Sequence, residues 1–270
     1  MKSLIIAKRF CGPPTSANGG YFAGMVAAQV SRPAFVSQPR GPHGSPTQQP
    51  RPPAQEPSTP PAAQAPFAPL SVRLKAPPPL DTGLAVVETP DGGVEVRAGE
   101  RLIGSAAPAA LDVSVPPPVG YAEAVEASRN YVGFSSHRFP TCFVCGTERK
   151  HGEGLCIYAG AVAGRNVVAA PWVPDDSLDG GDGTVRPEFM WASLDCAGYY
   201  AVTPDDRMML LAQFTAQLER PVRVGESCVV VGWGIGSNGA RHEAGTALYG
   251  SDGELRGRAW ALWIEPRSSR

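Results

Sequence analysis

Residues 187–202, PEFMWASLDCAGYYAV, make an apolar run with a proline at its start and another, Pro204, just beyond its end. That punctuation predicts one buried helix. Four strand-like segments follow, at 208–218, at 227–235 after Gly225, at 240–249 after Asn238-Gly239, and at 254–264 after Asp252-Gly253. The last two turns are strong hairpin signals, because their central residues tolerate positive φ. In 254–264 the strand period puts Leu255, Gly257, Ala259, Ala261 and Trp263 on one face and Arg256, Arg258 and Trp260 on the other.

Working outward, the first half of the chain reads in the same order. Residues 18–30, NGGYFAGMVAAQV, predict a helix of small residues packed closely on a neighbour. Strand-like segments follow at 71–76, 83–89, 94–97 and 101–107, with Asp91-Gly92 as a hairpin turn. Val72-Arg-Leu-Lys-Ala-Pro77 falls on Ala216-Gln-Leu-Glu-Arg-Pro221 at an offset of 144, and Leu84-Ala-Val-Val87 falls on Cys228-Val-Val-Val231 at the same offset. An ungapped register over two strands points to an internal duplication, with one repeat in 1–125 and the other in 126–270. Leading strands are expected at 3–10 in the first repeat and at 154–158 and 166–172 in the second. A helix with a run of antiparallel strands is an α+β pattern. Each helix is apolar nearly all round, so its own sheet should wrap it, and the two sheets would join edge to edge and cover one edge of each.

The two repeats differ in one long tract. Residues 32–69 hold twelve of the 29 prolines and few large apolar side chains. Such a stretch cannot offset the entropy of ordering, so a mobile, partly polyproline insertion between helix and sheet is expected. Its PxxP spacing, as at Pro50–Pro53, is of the kind that docks on proline-reading domains, although such spacings arise freely in this composition.

Composition narrows the function. With 24 basic and 25 acidic residues the formal net charge is −1, which argues against a nucleic-acid or anionic-membrane binder. No apolar run approaches the length of a membrane span, and the apolar stretch in 1–9 is too short for a secretory signal. Six cysteines spread through a chain able to build its own core read as reduced thiols in a cytoplasmic protein.

Three stretches then carry a family resemblance. Phe139-Pro-Thr-Cys-Phe-Val-Cys-Gly146, followed by Gly154-Leu155, is similar to the Cys-Phe-x-Cys-Gly … Gly-Leu leader of hot-dog thioesterases. Ser193-Leu-Asp-Cys-Ala-Gly198 resembles the Leu-Asp-x-x-x-Gly of their central helix, and Asn18-Gly19-Gly20 resembles the His-Gly-Gly that opens it. With the strand order, the chain looks like a double hot-dog protein of the thioesterase-like superfamily. That resemblance implies a helix N-terminus whose N–H groups polarise a thioester carbonyl, and a carboxylate from the opposite unit that acts as base or nucleophile. Here the parts are divided. Nine residues after Asn18 stands Ala27, and nine before Asp195 stands Arg186, followed by Pro187 and Glu188 where the family has glycines. One complete site is therefore expected, with Gly19 and Gly20 facing Asp195 as catalytic residues and Asn18 and Tyr21 contacting substrate. The opposite corner should be dead. The substrate implied is an acyl-CoA or acyl-carrier-protein thioester, with no cofactor and no metal, and with a homo-oligomer as a further option. A hydratase of the same fold needs an Asp and a His a few residues apart in a loop–helix motif, which none of the four histidines supplies.

Plainer readings stand beside these. Asp195 is also what a fold-stabilising buried hydrogen bond would use, Asn18 is a good helix cap, and Glu188 suits a first helical turn on dipole grounds alone. The rival reading of the whole protein is a non-catalytic acyl-CoA or lipid-binding module with a docking loop. Cys142, Cys145, His151 and Cys156 stand in zinc-knuckle order, but the leader accounts for the first two and Cys156 lies in a strand-like run. A nucleophilic Cys142 or Cys145 lacks a His or Asp partner at a fixed relation. His242 reads as a satisfied strand residue, and Trp233, Trp260 and Trp263 as sheet packing. Arg220, Arg223, Arg241, Arg256 and Arg258 suit either CoA phosphates or solvated strand faces.

Overall fold

The computed structural model describes residues 2–30, 68–203 and 207–266. In chain order its elements are β1 (Lys2–Leu4), α1 (Gly19–Ala27), β2 (Leu70–Leu74), β3 (Leu84–Glu88), β4 (Val94–Ala98), β5 (Arg101–Pro108), α2 (Tyr121–Ser128), β6 (Gly160–Ala161), β7 (Val168–Trp172), α3 (Pro187–Ser193), α4 (Cys196–Val202), β8 (Leu210–Leu218), β9 (Cys228–Asn238), β10 (Arg241–Tyr249) and β11 (Leu255–Ile264). The strands pair antiparallel into one sheet in the order β1-β3-β4-β5-β2-β8-β11-β10-β9-β7-β6. The helices cover it, so the architecture is α+β as expected. The proline-rich insertion, its Pro50–Pro53 spacing and the helix-closing Pro204 lie outside the described residues, apart from Ala68 and Pro69.

The hairpins form where the turn dipeptides put them, with Gly239 at φ 58° and Gly253 at φ 75°. At the middle of the sheet β2 meets β8, with Leu70 opposite Ala216, Ser71 opposite Thr215 and Val72 opposite Phe214. The Thr215 hydroxyl donates to Ser71 Oγ at 2.9 Å across that joint. From Gly257 to Ala261 strand β11 alternates as expected, while Arg256 is buried on the other face, and a register shift between Leu262 and Trp263 turns both of those side chains into buried positions.

Small residues set how closely the layers approach. A Cβ on Gly104 would stand 2.8 Å from the Phe22 ring, and one on Gly232 only 2.3 Å from the Ala197 carbonyl oxygen, so α1 and α4 lie directly against β5 and β9. The helices also press on each other. A Cβ on Gly24 would reach within 2.7 Å of Glu188 Cα, and one on Gly20 within 2.6 Å of Asp195 Cβ.

Three expectations need correction. The stretch 187–202 is two helices, broken at Leu194 and Asp195, where bonds from Asp195 N to Ala192 O and from Gly198 N to Asp195 O tighten the chain to a 3₁₀ turn. The strand expected at 3–10 stops at Leu4, and Lys8–Phe10 turns as a 3₁₀ helix. Residues 154–158 are no sheet strand, because Leu155 and Ile157 donate their N–H groups to the leader carbonyls of Phe143 and Val144. Helix α2 was not anticipated. It spans the 125/126 boundary and packs with Val113 and Val119 on the outer face of β7, β9 and β10.

Because Gly232 faces a backbone oxygen that cannot move aside, Gly232→Val is expected to lose about 2–3 kcal/mol of stability in chemical denaturation. Gly236→Ala, whose Cβ would meet nothing within 4 Å, should change it by no more than about 0.5 kcal/mol.

Candidate active site

Asn18 starts the site by ending a loop. It is the N-cap of α1, and its side-chain oxygen accepts the Tyr21 N–H at 2.9 Å. That bond leaves the amide nitrogen free to point away from the helix, where Nδ2 donates to Asp195 Oδ2 at 2.8 Å. Gly20, in the first turn of α1, donates its backbone N–H to the same oxygen at 2.9 Å. Asp195 reaches this corner because the chain breaks there between α3 and α4. The two halves of the sequence thus meet in one carboxylate, with Asp195 and Asn18 only 2% and 3% exposed.

Asp195 has no cationic partner among the described residues. Burial pushes its carboxyl up to about 7, the Gly20 N–H and the Asn18 amide pull it down, and the neighbouring Cys142 sulfur adds to the rise. Its other oxygen, Oδ1, is buried without a hydrogen-bond partner among the described residues. A carboxyl poised near neutrality with one oxygen held and one unclaimed can exchange a proton with whatever sits beside it.

Beside it lies a cavity of about 550 Å³, of the size that holds small-molecule ligands. Asn18 and Gly19 line it from the first half, and Asp195, Met209, Leu211 and Trp263 from the second. Most of the wall is apolar, while the exposed Lys75 and Arg138 stand along its lining. The Gly19 N–H, the first of α1, donates to no protein acceptor among the described residues.

The structure therefore brings Asn18, Gly19, Gly20 and Asp195 together, but with a different division of donors from the one expected. Gly20 holds the carboxylate, which leaves Gly19 as the open N–H. Tyr21 does not line the cavity. It is buried, stacks on Phe10 at 4.1 Å between ring centroids, and contacts Phe143 and Phe189. Burial, with the Glu188 carboxylate nearby, pushes its phenol up to about 12. At the opposite corner Arg186 pairs with its neighbour Glu188 at 3.3 Å, and Ala27 supplies only a methyl group. A smaller cavity, about 340 Å³, adjoins Arg186 and Pro187.

The remaining candidates are placed as follows. His151 and Cys156 stand apart from Cys142 and Cys145, whose sulfurs instead meet that of Cys196, all three within 4.8 Å of one another. No sequence spacing signals that third member. His242 is held between Ser237 and Glu265, and Trp260 donates to Glu243. Trp233 lies over Gly245. Arg256 is buried between Glu226 and Asp252, while Arg220 and Arg258 pair with Glu254 and Glu219. None of the five arginines named from the sequence lines the cavity.

Solved structures give the fold its name. A provisionally designated thioesterase of Novosphingobium aromaticivorans is similar over 98% of this chain and 94% of its own, at 11% identity and TM-score 0.55. A protein of Thermobifida fusca, provisionally designated thioesterase II, matches over 98% and 92%, at 12% identity and TM-score 0.55. A conserved Alicyclobacillus acidocaldarius protein of unknown function, described as having a hot-dog fold, covers 98% and 92%, at 11% identity and TM-score 0.53. The chain has the hot-dog fold. Its fold neighbours are thioesterase-like and hot-dog proteins that span most of its length. No protein-family model matches the sequence, and no curated protein matches it. Among the described residues of this hot-dog chain no helix is long and apolar enough to cross a membrane.

Asn18 both caps α1 and holds Asp195, and the two roles separate by substitution. Asn18→Ala should lose about 2 kcal/mol of stability in chemical denaturation, and Asn18→Ser, which restores the cap without the reach to Asp195, about 1 kcal/mol.

Proposed function

We propose that the protein is a double hot-dog thioesterase that hydrolyses an acyl-CoA or acyl-carrier-protein thioester at a single site shared between its repeats. The observation that carries this reading is Asp195 Oδ2 accepting both the Gly20 N–H and the Asn18 amide at the head of an apolar cavity. The duplication draws support from the middle of the sheet. Ser71 and Thr215, equated by the 144-residue offset, pair with each other, as they would across a local two-fold axis. The helices follow the same exchange, Gly20 against Ala192 and Gly24 against Glu188.

In this mechanism the acyl chain occupies the apolar cavity and the thioester carbonyl rests on the Gly19 N–H, at the positive end of α1. Gly20 and Asn18 fix Asp195 by one oxygen, so that Oδ1 takes a proton from the attacking water. Oxygen then adds to the carbonyl carbon, the carbon–sulfur bond breaks, and the thiol leaves with a proton returned from Asp195. Lys75 and Arg138 suit the phosphates of the carrier. The corner at Arg186 is inactive, since Pro187 has no N–H and Ala27 no acid.

The rival reading, a non-catalytic acyl-CoA-binding module, has one observation in its favour. The Gly20 N–H that the family resemblance assigns to the carbonyl is already spent on Asp195. Thiol release from a panel of acyl-CoA chain lengths separates the two. Asp195→Asn, which retains an acceptor oxygen, is expected to lower kcat roughly 10³-fold with acyl-CoA affinity preserved. Gly19→Pro, which removes the open donor, is expected to lower it about 10²-fold. A wild-type protein that binds these thioesters and releases no thiol is the binding module.

A further inference from the structure

The cluster of Cys142, Cys145 and Cys196 has no part in the hydrolytic mechanism above, and its geometry is unusual for three free thiols. All three are buried and unbridged, their sulfurs lie within 4.8 Å of one another, and Cys142 Sγ stands 3.9 Å from Cys196 Sγ. A tetrahedral zinc ion with Zn–S bonds of about 2.3 Å holds its sulfurs about 3.8 Å apart. From these distances we infer that Cys142, Cys145 and Cys196 form a three-sulfur site for a thiophilic divalent cation, zinc, at the wall of the cavity.

The backbone holds the three ligands before any ion arrives. Cys142 and Cys145 sit on a tight turn closed by the Gly146 N–H donating to Cys142 O at 2.9 Å, where a Cβ on Gly146 would collide with the Cys142 and Pro140 oxygens. Cys196 opens α4 immediately after the helix break. Three thiolates around a dication keep a net negative charge, which needs a nearby donor. Asn18 Nδ2 lies 3.8 Å from Cys142 Sγ and 3.9 Å from Cys196 Sγ, in hydrogen-bonding range of both sulfurs. Among the described residues no fourth Cys, His, Asp or Glu shares the cluster's mutual distances, so the fourth position falls to solvent from the cavity that all three cysteines line. As the Zn–S bonds form, the thiols release their protons to solvent. The site differs from the knuckle order in the sequence, since Cys196 takes the place of His151 and Cys156.

The test is a cobalt titration of the reduced, metal-stripped full-length protein under anaerobic conditions, which needs no thioester and is therefore independent of the hydrolytic reading. The wild type should bind one equivalent of Co²⁺ with sulfur-to-cobalt charge-transfer absorption and tetrahedral d–d bands, and one equivalent of Zn²⁺ should abolish both. Cys145→Ser and Cys196→Ser, shown to be folded by circular dichroism, should lose these bands, whereas Cys156→Ser and His151→Ala should keep them. Asn18→Ala should weaken zinc binding roughly 10–100-fold. A folded wild type without the charge-transfer band overturns the site whatever the variants do. So does a Cys196→Ser protein that keeps the bands, or their loss in Cys156→Ser or His151→Ala.

Discussion

A buried carboxylate without a cation beside it is costly, by several kcal/mol if nothing donates to it. Asp195 tolerates that environment because two donors from the other end of the chain converge on one of its oxygens. They can do so only because α1 carries Gly20 and Gly24 where it crosses the second helical segment, so that backbone meets backbone with no side chain between. The helix break at Leu194, the cap at Asn18 and the open end of α1 all meet at that one contact. Change the spacing of the two helices by the width of a methyl group and the carboxylate loses its partners.

Much of the fold was legible because its signals are local. Asn238-Gly239 and Asp252-Gly253 fix their hairpins through two residues each, and the strands beside them alternate with the period of the pleat. The Asn18 cap and the division of Gly19, Gly20 and Asp195 between the halves were likewise readable as residues, though their roles stay a proposal. The break in the second helix was not readable, since nothing in Ser193-Leu-Asp-Cys demands it. It shows only in the folded chain, as local bonds from Asp195 N to Ala192 O and from Gly198 N to Asp195 O. Residues 154–158 carry strand-like composition, but their N–H groups found the leader carbonyls first.

Tyr21 shows how a short distance in sequence misleads. It follows Gly20 directly, yet a helix turns about 100° per residue, so by the third position the side chain faces away from the cap and into the Phe10 aromatic cluster. Cys196 shows the converse. It lies far along the chain from Cys142 and no motif links them, but a kinked helix and a glycine-closed turn bring their sulfurs into contact range.

The separation of Gly20 from Asp195, 175 residues, also bears on how the molecule comes into being. Each half can form its own hairpins from neighbouring strands, while the β2–β8 joint and the helix contact must wait for remote segments to find each other, the slow part of any topology. A half-folded chain therefore exposes an unmatched sheet edge and carries one piece of the site without its complement. Under the proposed reading, a chain whose sheet has not yet closed lacks the paired donors and carboxylate that hydrolysis would need.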